Sequence, residues 1–274
     1  MRKIGKITIY SILIILGLSF LYPLFWMINL SLKSVGEIYQ FPFSLPKEII
    51  WENYPNALSA FNFLTLFLNS VIYSIVSVFF ILLFGSMLAY FLARMETRFH
   101  KFLMNYIVMG IVIPTSVTII PIYMMLSKMH LKNTRGGLIL IYTSFGIAGT
   151  VIMLYAFLRS LPKELEEAAM MDGCSIYETF FRIIIPCIKP ALFTRFVIEF
   201  MNIWNDYFVA YILTNTDKLK TLQVGIKSFF VNIGTSEWGM IGAAMVVSCA
   251  PVLIIYFIFS EQIENALTAG AVLK

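Results

Sequence analysis

Residues 66–93 read LFLNSVIYSIVSVFFILLFGSMLAYFLA and contain no charged side chain. A helix needs about 20 predominantly apolar residues to cross the hydrocarbon core of a bilayer, and this run exceeds that length. Because backbone polar groups in lipid must be satisfied within the segment, the run is predicted to form a transmembrane helix. Comparable runs occur at about residues 8–32, 102–127, 137–158, 191–213 and 240–260. The sequence therefore predicts an all-α membrane protein with six transmembrane helices.

The composition of the whole chain agrees with a membrane protein. Of its 274 residues, 59% are hydrophobic and 13% are charged, whereas soluble domains contain roughly 25% charged residues. The first apolar run is too long for the core of a signal peptide and lacks a small-residue cleavage site, so it is interpreted as an uncleaved first span. Since no composition shift marks a second domain, residues 1–274 are predicted to form a single transmembrane domain.

Positive charges between the runs predict the orientation in the membrane. Lys and Arg are more numerous on the side that holds both termini, and this excess predicts that both termini are cytoplasmic. The excess is moderate because the opposite side carries cations of its own, among them Lys33, Lys128 and Lys132. On that outer side, residues 33–65 and 214–239 are long enough to form ordered surface loops that meet a partner.

Nucleic-acid binding, metal binding and ATP binding find little support in the sequence. The net charge of +5 is not arranged as a basic stripe with interleaved aromatic residues. Cys174, Cys187 and Cys249 lack the spacing of metal ligands, and His100 and His130 lie in different polar segments, so no metal site is predicted. No phosphate-binding glycine loop of the Walker type is present, so another chain must bind any ATP that drives this protein.

The segment between the fourth and fifth runs, residues 160–190, reads SLPKELEEAAMMDGCSIYETFFRIIIPCIKP. Ser160 is predicted to cap a helix and Pro162 to lie in its first turn. Acidic side chains in that turn complement the positive end of the helix dipole. These acids are Glu164, Glu166 and Glu167.

A turn and a second helix are predicted to follow in the same segment. Asp172-Gly173 would end the first helix, and Ser175 with Glu178 would start the second one as a capping box. Proline residues further along predict the return of the chain into the membrane. The segment is therefore predicted to be a compact helix–turn–helix at the cytoplasmic surface.

One face of the first predicted helix is suited to contact with a partner. Small side chains there allow close approach, and the residues on the face recur at helical spacing. They are Leu165, Ala168, Ala169 and Asp172. The alternative interpretation is a surface-bound amphipathic helix that only joins two spans, and spacing alone does not decide between the two.

The fifth predicted span carries a polar stripe of Arg195, Glu199, Asn202 and Asp206, which share one helix face. An unpaired charge near the bilayer centre costs about 3 kcal/mol, so these side chains are expected to face the helix bundle or a watery cavity. Arg195 is placed to pair with Glu199, one helical turn away. Two interpretations remain open: a polar lock between helices, or a lining of a translocation path to which Asn205 also contributes.

Several ordered motifs resemble a known family of membrane proteins. The segment 160–190 matches the EAA loop of binding-protein-dependent ABC importer permeases, and the other matches run from about residue 54 to the C-terminus. They resemble in particular the carbohydrate-uptake subfamily, which includes the smaller maltose permease subunit. The motifs are Leu68-Asn69-Ser70, Ala89-Tyr90, Ala93-Arg94, Ile120-Pro121, Glu167-Ala168-Ala169, Asp172-Gly173, Trp204-Asn205-Asp206 and Leu267-Thr268-Ala269-Gly270-Ala271-Val272.

This resemblance implies the architecture of a type I ABC importer permease. The chain would then be a transport subunit and not an enzyme, moving a sugar or oligosaccharide across a bacterial or archaeal cytoplasmic membrane by alternating access. The implied partners are a second related permease in a heterodimer, two cytoplasmic ATPase subunits that carry ATP and Mg, and a periplasmic or extracellular solute-binding protein. No cofactor is expected on this chain itself.

The resemblance also assigns roles to the EAA segment. ATP-driven closure of the ATPase subunits would displace a coupling helix in this segment and reorient the spans. The implied coupling residues are Glu167, Ala168, Ala169, Asp172 and Gly173.

Three alternatives are retained. One is an ABC importer permease for another solute, such as a glycerol phosphate ester. Another is a secondary transporter or channel, which would work without ATPase subunits. The third is an intramembrane enzyme, for which Glu199 and Asp206 are the only candidate pair, although two helical turns separate them by about 10 Å.

Overall fold

The computed structural model describes residues 2–60, 62–95, 98–233 and 237–272, and it is helical with no strand among these residues. It divides into two compact units, Met1–Leu66 with Leu222–Pro251 and Phe67–Thr221 with Val252–Lys274. The α-helices are α1 (Arg2–Ser31), α2 (Val35–Gln40), α3 (Asn53–Ala60), α4 (Phe63–Arg94), α5 (His100–Val112), α6 (Thr115–Lys128), α7 (Arg135–Ser160), α8 (Glu164–Met171), α9 (Ile176–Thr179), α10 (Ile185–Cys187), α11 (Lys189–Trp204), α12 (Phe208–Leu213), α13 (Leu222–Ile233) and α14 (Trp238–Val272). A short π-helix, Phe180–Ile184, lies between α9 and α10.

Within the described residues, four helices are long and apolar enough to cross a membrane: α1, α4, α7 and α14. The pair α5 and α6 makes a fifth if the two bent helices form one span. These helices agree with the predicted multi-pass membrane protein. The predicted span 191–213 is interrupted after Trp204, and α11 with its 16 residues is shorter than the ~20 residues of a full crossing. The count of six spans therefore stays a prediction.

The third predicted span, 102–127, is broken and not merely kinked. Helices α5 and α6 meet at an angle of 102°. Proline disfavours the helical conformation of the residue before it, and Ile113 accordingly has an extended conformation (φ −76°, ψ 117°) before Pro114. By contrast, Pro121 lies inside α6 without ending the helix.

The second unit has a core in which α7 packs against both α5 and α11. Small and apolar side chains fill the space between these helices and the end of α4. The fully buried members of this core include Ala89, Val151, Leu154, Leu158, Ile184 and Ile188. The core holds the end of α4 close to the start of segment 160–190.

The first unit contains the predicted outer loop of residues 33–65. Instead of a plain loop, this region includes α2 and α3. Lys33, expected as an outer cation, is only 1% exposed. Its ammonium donates hydrogen bonds to the carbonyl of Phe41 at 2.8 Å and to Ser44 Oγ at 3.2 Å. A buried charge must be paired or hydrogen-bonded, and these two loop oxygens compensate the buried ammonium of Lys33.

The predicted loop 214–239 also contains a helix, α13, and its residues 234–236 lie outside the described residues. The first part of this loop is hydrogen-bonded to side chains within the second unit. Asn69 Nδ2 donates to the carbonyls of Lys218 at 2.8 Å and Lys220 at 3.0 Å. Tyr73 donates its hydroxyl to the carbonyl of Leu219 at 2.9 Å. The loop is therefore held by side chains at the start of α4.

Candidate functional site

The first helix of segment 160–190 begins later than the sequence predicts. Ser160 is the last residue of α7, where its hydroxyl donates to the carbonyl of Phe157 at 2.7 Å. The N-cap of α8 is Lys163, which caps through no side-chain hydrogen bond. The prediction of Ser160 as the cap is therefore wrong, because α7 continues through it and Pro162 lies ahead of the new helix.

The end of α8 agrees with the prediction and is built as a Schellman motif. Asp172 is the C-cap, and Gly173 follows with φ +84°, a left-handed conformation that favours glycine. The amide of Gly173 donates to the carbonyl of Met170 at 3.0 Å, and the amide of Cys174 donates to the carbonyl of Ala169 at 3.0 Å. These bonds set the direction in which the chain leaves α8.

The predicted capping box at the start of α9 is also confirmed. The amide of Glu178 donates to Ser175 Oγ at 3.3 Å, while the amide of Ser175 donates to Glu178 Oε2 at 3.0 Å. The amide and the hydroxyl of Ser175 both donate to the Glu178 carboxylate, and these two bonds, together with the charge of Arg182, lower the pKa of the Glu178 carboxyl. The box is thus most stable when Glu178 is ionised.

The lowered pKa of Glu178 predicts a pH dependence of this turn. A carboxyl with a lowered folded-state pKa contributes stability above its ordinary value of 4.5 and loses it as the pH falls through the folded value. We expect amide-exchange protection of residues 176–179 to fall at acidic pH once intrinsic exchange rates are corrected. In Glu178→Gln this acid-dependent loss should be absent. An equal loss in the variant would show that another group titrates.

The residues of the EAA motif lie on two different faces of α8, one exposed and one buried. Leu165, Glu167 and Ala168 are exposed on the chain, as is Asp172 at the helix end. Ala169 is only 3% exposed and packs inside the second unit. The predicted partner face therefore keeps three of its four residues, while Ala169 belongs to the face that anchors the helix to its own chain.

The anchoring face contains a residue that the sequence reasoning assigned only to the helix dipole. Glu166 is 7% exposed, and its carboxylate lies 2.5 Å from Nε of Arg94 at the end of α4. Tyr90 donates its hydroxyl to the other carboxylate oxygen at 3.2 Å. Helical spacing alone does not predict the burial of Glu166, because Ala169, which shares its face, belongs to the predicted partner face.

The polar stripe predicted in span five lines a cavity of about 660 Å³ in the second unit. Pockets for small ligands usually range from about 300 to 1,000 Å³, so this volume suits a small ligand. The lining residues come from α5, α6, α7, α11 and α12, and they include Arg195, Glu199, Asn202 and Asp206. Asn205, the fifth candidate, is exposed and lies outside the lining.

Arg195 and Glu199 form the predicted ion pair along one face of α11. Arg195 Nε also donates to Thr150 Oγ1 on α7 at 2.9 Å. A Cβ atom at Gly149 would lie 2.4 Å from the Arg195 guanidinium, so the absence of a side chain there makes room for the cation. The pair therefore joins α11 to α7, as the polar-lock interpretation expects, and it borders the cavity; a role in a translocation path stays a prediction.

Asp206 occupies the interruption between α11 and α12. Its Oδ2 accepts hydrogen bonds from the Tyr142 hydroxyl at 2.8 Å and from the Ala210 amide at 3.0 Å, and its Oδ1 accepts from the Val209 amide at 3.3 Å. A carboxylate that accepts amides at a helix start stabilises that start. Asp206 thus satisfies two amides in the first turn of α12, whose N-cap is Tyr207, and it lies in the break of the predicted span 191–213.

Trp204 belongs to the packing and not to the cavity lining. It is 1% exposed and its ring lies 5.5 Å from that of Phe200 and 5.6 Å from that of Phe67. Edge-to-face and stacked aromatic contacts at these separations stabilise a core. Trp204 is therefore a packing residue of the second unit.

Two known permease proteins are similar to this chain over nearly its whole length. The chain is 34% identical over 271 residues to the diacetylchitobiose uptake system permease protein NgcG of Streptomyces coelicolor, covering 98% of this chain and 89% of that protein. It is 32% identical to the probable starch degradation products transport system permease protein AmyC of Thermoanaerobacterium thermosulfurigenes, covering 99% of both chains.

A solved structure shares the fold. The crystal structure of a bacterial ABC transporter involved in the import of the acidic polysaccharide alginate contains a chain that matches with a TM-score of 0.85 and 26% identity. The match covers 94% of this chain and 96% of that one. Residues 81–268 match the family described as "Binding-protein-dependent transport system inner membrane component". The resemblance drawn from the motifs is confirmed, and the protein belongs to this family of transport permeases.

Proposed function

We propose that the chain is the permease subunit of an ATP-driven importer for an uncharged sugar or oligosaccharide. The single observation that carries the proposal is the identity of about a third with sugar-uptake permeases over nearly the whole chain. The cavity in the second unit is the proposed part of the translocation path that this subunit contributes. Alternating access of that cavity moves the solute without chemical change.

The proposed coupling surface is the exposed face of α8. Glu167 and Ala168 are exposed there, and Gly173 and the capping box of Ser175 fix the turn that follows. A cytoplasmic ATPase subunit with bound ATP and Mg is the proposed partner of this face. The contact transmits force only if it differs in free energy between the nucleotide states of the ATPase.

The charges of the cavity support an uncharged substrate. Its lining includes one cation, Arg195, and two carboxylates, Glu199 and Asp206. Arg195 is compensated by Glu199, so the second carboxylate leaves the lining negative on balance. This balance disfavours an anion such as a glycerol phosphate ester, because like charges in a region of low dielectric repel.

The remaining parts of the proposal concern assembly and orientation. The distribution of Lys and Arg supports the proposal that both termini are cytoplasmic. The broken regions 100–128 and 189–213 are each proposed to cross the membrane. No residue in the most apolar part of α1 is buried within the chain, so this surface is available to lipid and to a second permease subunit. A solute-binding protein is proposed to deliver the sugar at the outer loops.

The function is tested with the whole transporter complex, which is purified by an affinity tag on this chain and reconstituted into liposomes. We expect ATP hydrolysis that a sugar-loaded binding protein stimulates, together with uptake of neutral oligosaccharides in preference to glycerol phosphate. Glu167 is the proposed charge contact with the ATPase subunit. Glu167→Lys is therefore expected to lower the stimulated rate by at least about tenfold, because removing one partner of a close interfacial charge pair costs about 2–5 kcal/mol.

Glu164→Lys is the matched control, since Glu164 is an exposed acid in the same first turn. Equal loss in both variants would mean that the helix responds to charge in general and not at Glu167. Purification without any ATPase subunit, or uptake driven without ATP, would contradict the importer and favour a secondary transporter.

A further inference from the structure

One buried guanidinium joins three helices at the base of segment 160–190. Arg94, the last residue of α4, donates from Nε to Glu166 Oε1 at 2.5 Å and from Nη2 to the carbonyl of Leu161 at 3.1 Å. Leu161 is the C-cap of α7, and Glu166 lies in α8. Tyr90, one turn back on α4, donates to Glu166 Oε2 at 3.2 Å. Both oxygens of the carboxylate are thus bonded to α4.

The junction is enclosed by the core of the second unit. The side chains of Arg94 and Glu166 are only 7% and 9% exposed. Phe180 is 4% exposed and its ring lies 5.2 Å from that of Tyr90, while Ala169 closes the same face of α8. Charge-assisted hydrogen bonds are short and directional, and their strength increases away from water. Rotation or sliding of α8 would therefore break bonds that no solvent replaces.

Stability alone is a weak explanation for this pair. Buried ion pairs often contribute no more than apolar side chains of the same size, because the cost of desolvation offsets the attraction. What an ion pair with both oxygens bonded does provide is a fixed orientation between two elements. Here the two elements are α8, whose other face is exposed around Glu167 and Ala168, and the end of α4, a helix long enough to span the membrane.

We propose that the Glu166–Arg94 ion pair, with Tyr90, is the link through which a displacement of α8 reaches α4. The inference rests on the proposed coupling function of the exposed face of α8. The other connections of α8 are residues 161–163, the turn at Gly173 and the packing of its buried face around Ala169, and these connect α8 to α7 and to the chain that follows α8. With the link, α8 and α4 move as one body. Glu166 and Arg94 are positioning residues in this scheme.

The test compares single and double variants in the reconstituted complex with its binding protein. The single variants are Arg94→Met and Glu166→Leu, and the third variant combines both. Each single change leaves a buried group without its partner and is expected to lower the melting temperature. The double change removes both charges and is expected to recover most of that loss.

Stimulation of ATP hydrolysis is expected to depend on the Glu166–Arg94 link and not on the melting temperature of the variant. Stimulation of ATP hydrolysis by the sugar-loaded binding protein should fall about tenfold in all three variants, since one hydrogen bond to a charged group is worth roughly that factor in an equilibrium. ATPase subunits should still co-purify, because the exposed face of α8 is unchanged. Glu164→Gln, the same change of charge at an exposed position of α8, should behave like the native chain.

The outcomes separate this link from the proposed function. If the double variant recovers stimulation along with its melting temperature, the pair is structural and the link is wrong. The link is equally overturned if Glu166→Leu and Glu164→Gln are both stimulated normally. In either case, a native complex that transports sugar with ATP would still support the importer. A native complex without stimulated hydrolysis would instead contradict the proposed function itself.

Discussion

Gly173→Pro is expected to abolish the stimulation of ATP hydrolysis while leaving the complex inserted in the membrane. Gly173 has φ +84°, whereas proline fixes φ near −65°. Proline also removes the amide that donates to the carbonyl of Met170 at 3.0 Å. The substitution therefore breaks the Schellman motif that ends α8 and changes the direction of the chain toward α9.

Two further variants separate backbone conformation from side-chain size at Gly173. No other atom lies within 4 Å of a Cβ built at this position, so a side chain would meet no steric obstacle. Gly173→Asn should keep most of the stimulation, because Asn adopts the left-handed conformation more readily than other residues with a side chain. Gly173→Val should lose much of it, since the left-handed conformation costs about 1–2 kcal/mol for an ordinary residue.

The measurement is ATP hydrolysis with and without sugar-loaded binding protein, checked by co-purification of the ATPase subunits. Full stimulation in Gly173→Pro would show that the turn after α8 carries no coupling. Equal activity of the Asn and Val variants would show that backbone conformation at this position is unimportant.

The features that the sequence predicts correctly are those formed by residues close together in the chain. The capping box of Ser175 and Glu178 and the glycine turn at Gly173 are formed by neighbours in the chain, and both agree with the prediction. The long apolar runs likewise correspond to α1, α4, α7 and α14. Each of these features depends on one short segment, so no tertiary information was needed to predict it.

Features that depend on contact between distant segments were missed. The pairing of Glu166 with Arg94 joins two helices far apart in the sequence, and nothing in either segment alone specifies the partner. Asp206 was assigned to a continuous span, yet its hydrogen bonds to Tyr142 and to two amides stabilise a break there. Backbone breaks in a membrane protein need such internal partners, and those partners become visible only in the fold.

The predicted helix boundary at Ser160 is wrong because a capping signal and apolar packing favour different ends for α7. Ser160 is a good N-cap residue, but α7 extends through it because Leu158 is fully buried in the core of the second unit. Packing of an apolar face generally outweighs a cap, which contributes about 1 kcal/mol.

Arg195→Met is expected to destabilise the protein by about 3–5 kcal/mol, because it leaves Glu199 as a buried charge without its partner. The side chains of Arg195 and Glu199 are only 13% and 6% exposed, so solvent screening is slight. The matched control is Arg182→Met, which removes an arginine at the same spacing from an acid, Glu178, in an exposed pair. Exposed pairs contribute little to stability because water screens them, so this control should unfold close to the native temperature.

The double variant Arg195→Met/Glu199→Met distinguishes a polar lock from a lining of the path. Removal of both charges should restore most of the melting temperature lost in the single variant, because two apolar side chains can pack where a paired charge was. Sugar uptake should nevertheless remain about tenfold below native, since the cavity loses charged hydrogen-bonding groups that each contribute about 1.5–3 kcal/mol. Thermal unfolding in detergent and uptake in liposomes measure the two effects separately. If uptake returns together with the melting temperature, Arg195 and Glu199 only lock α11 to α7, and the substrate must be recognised by other groups.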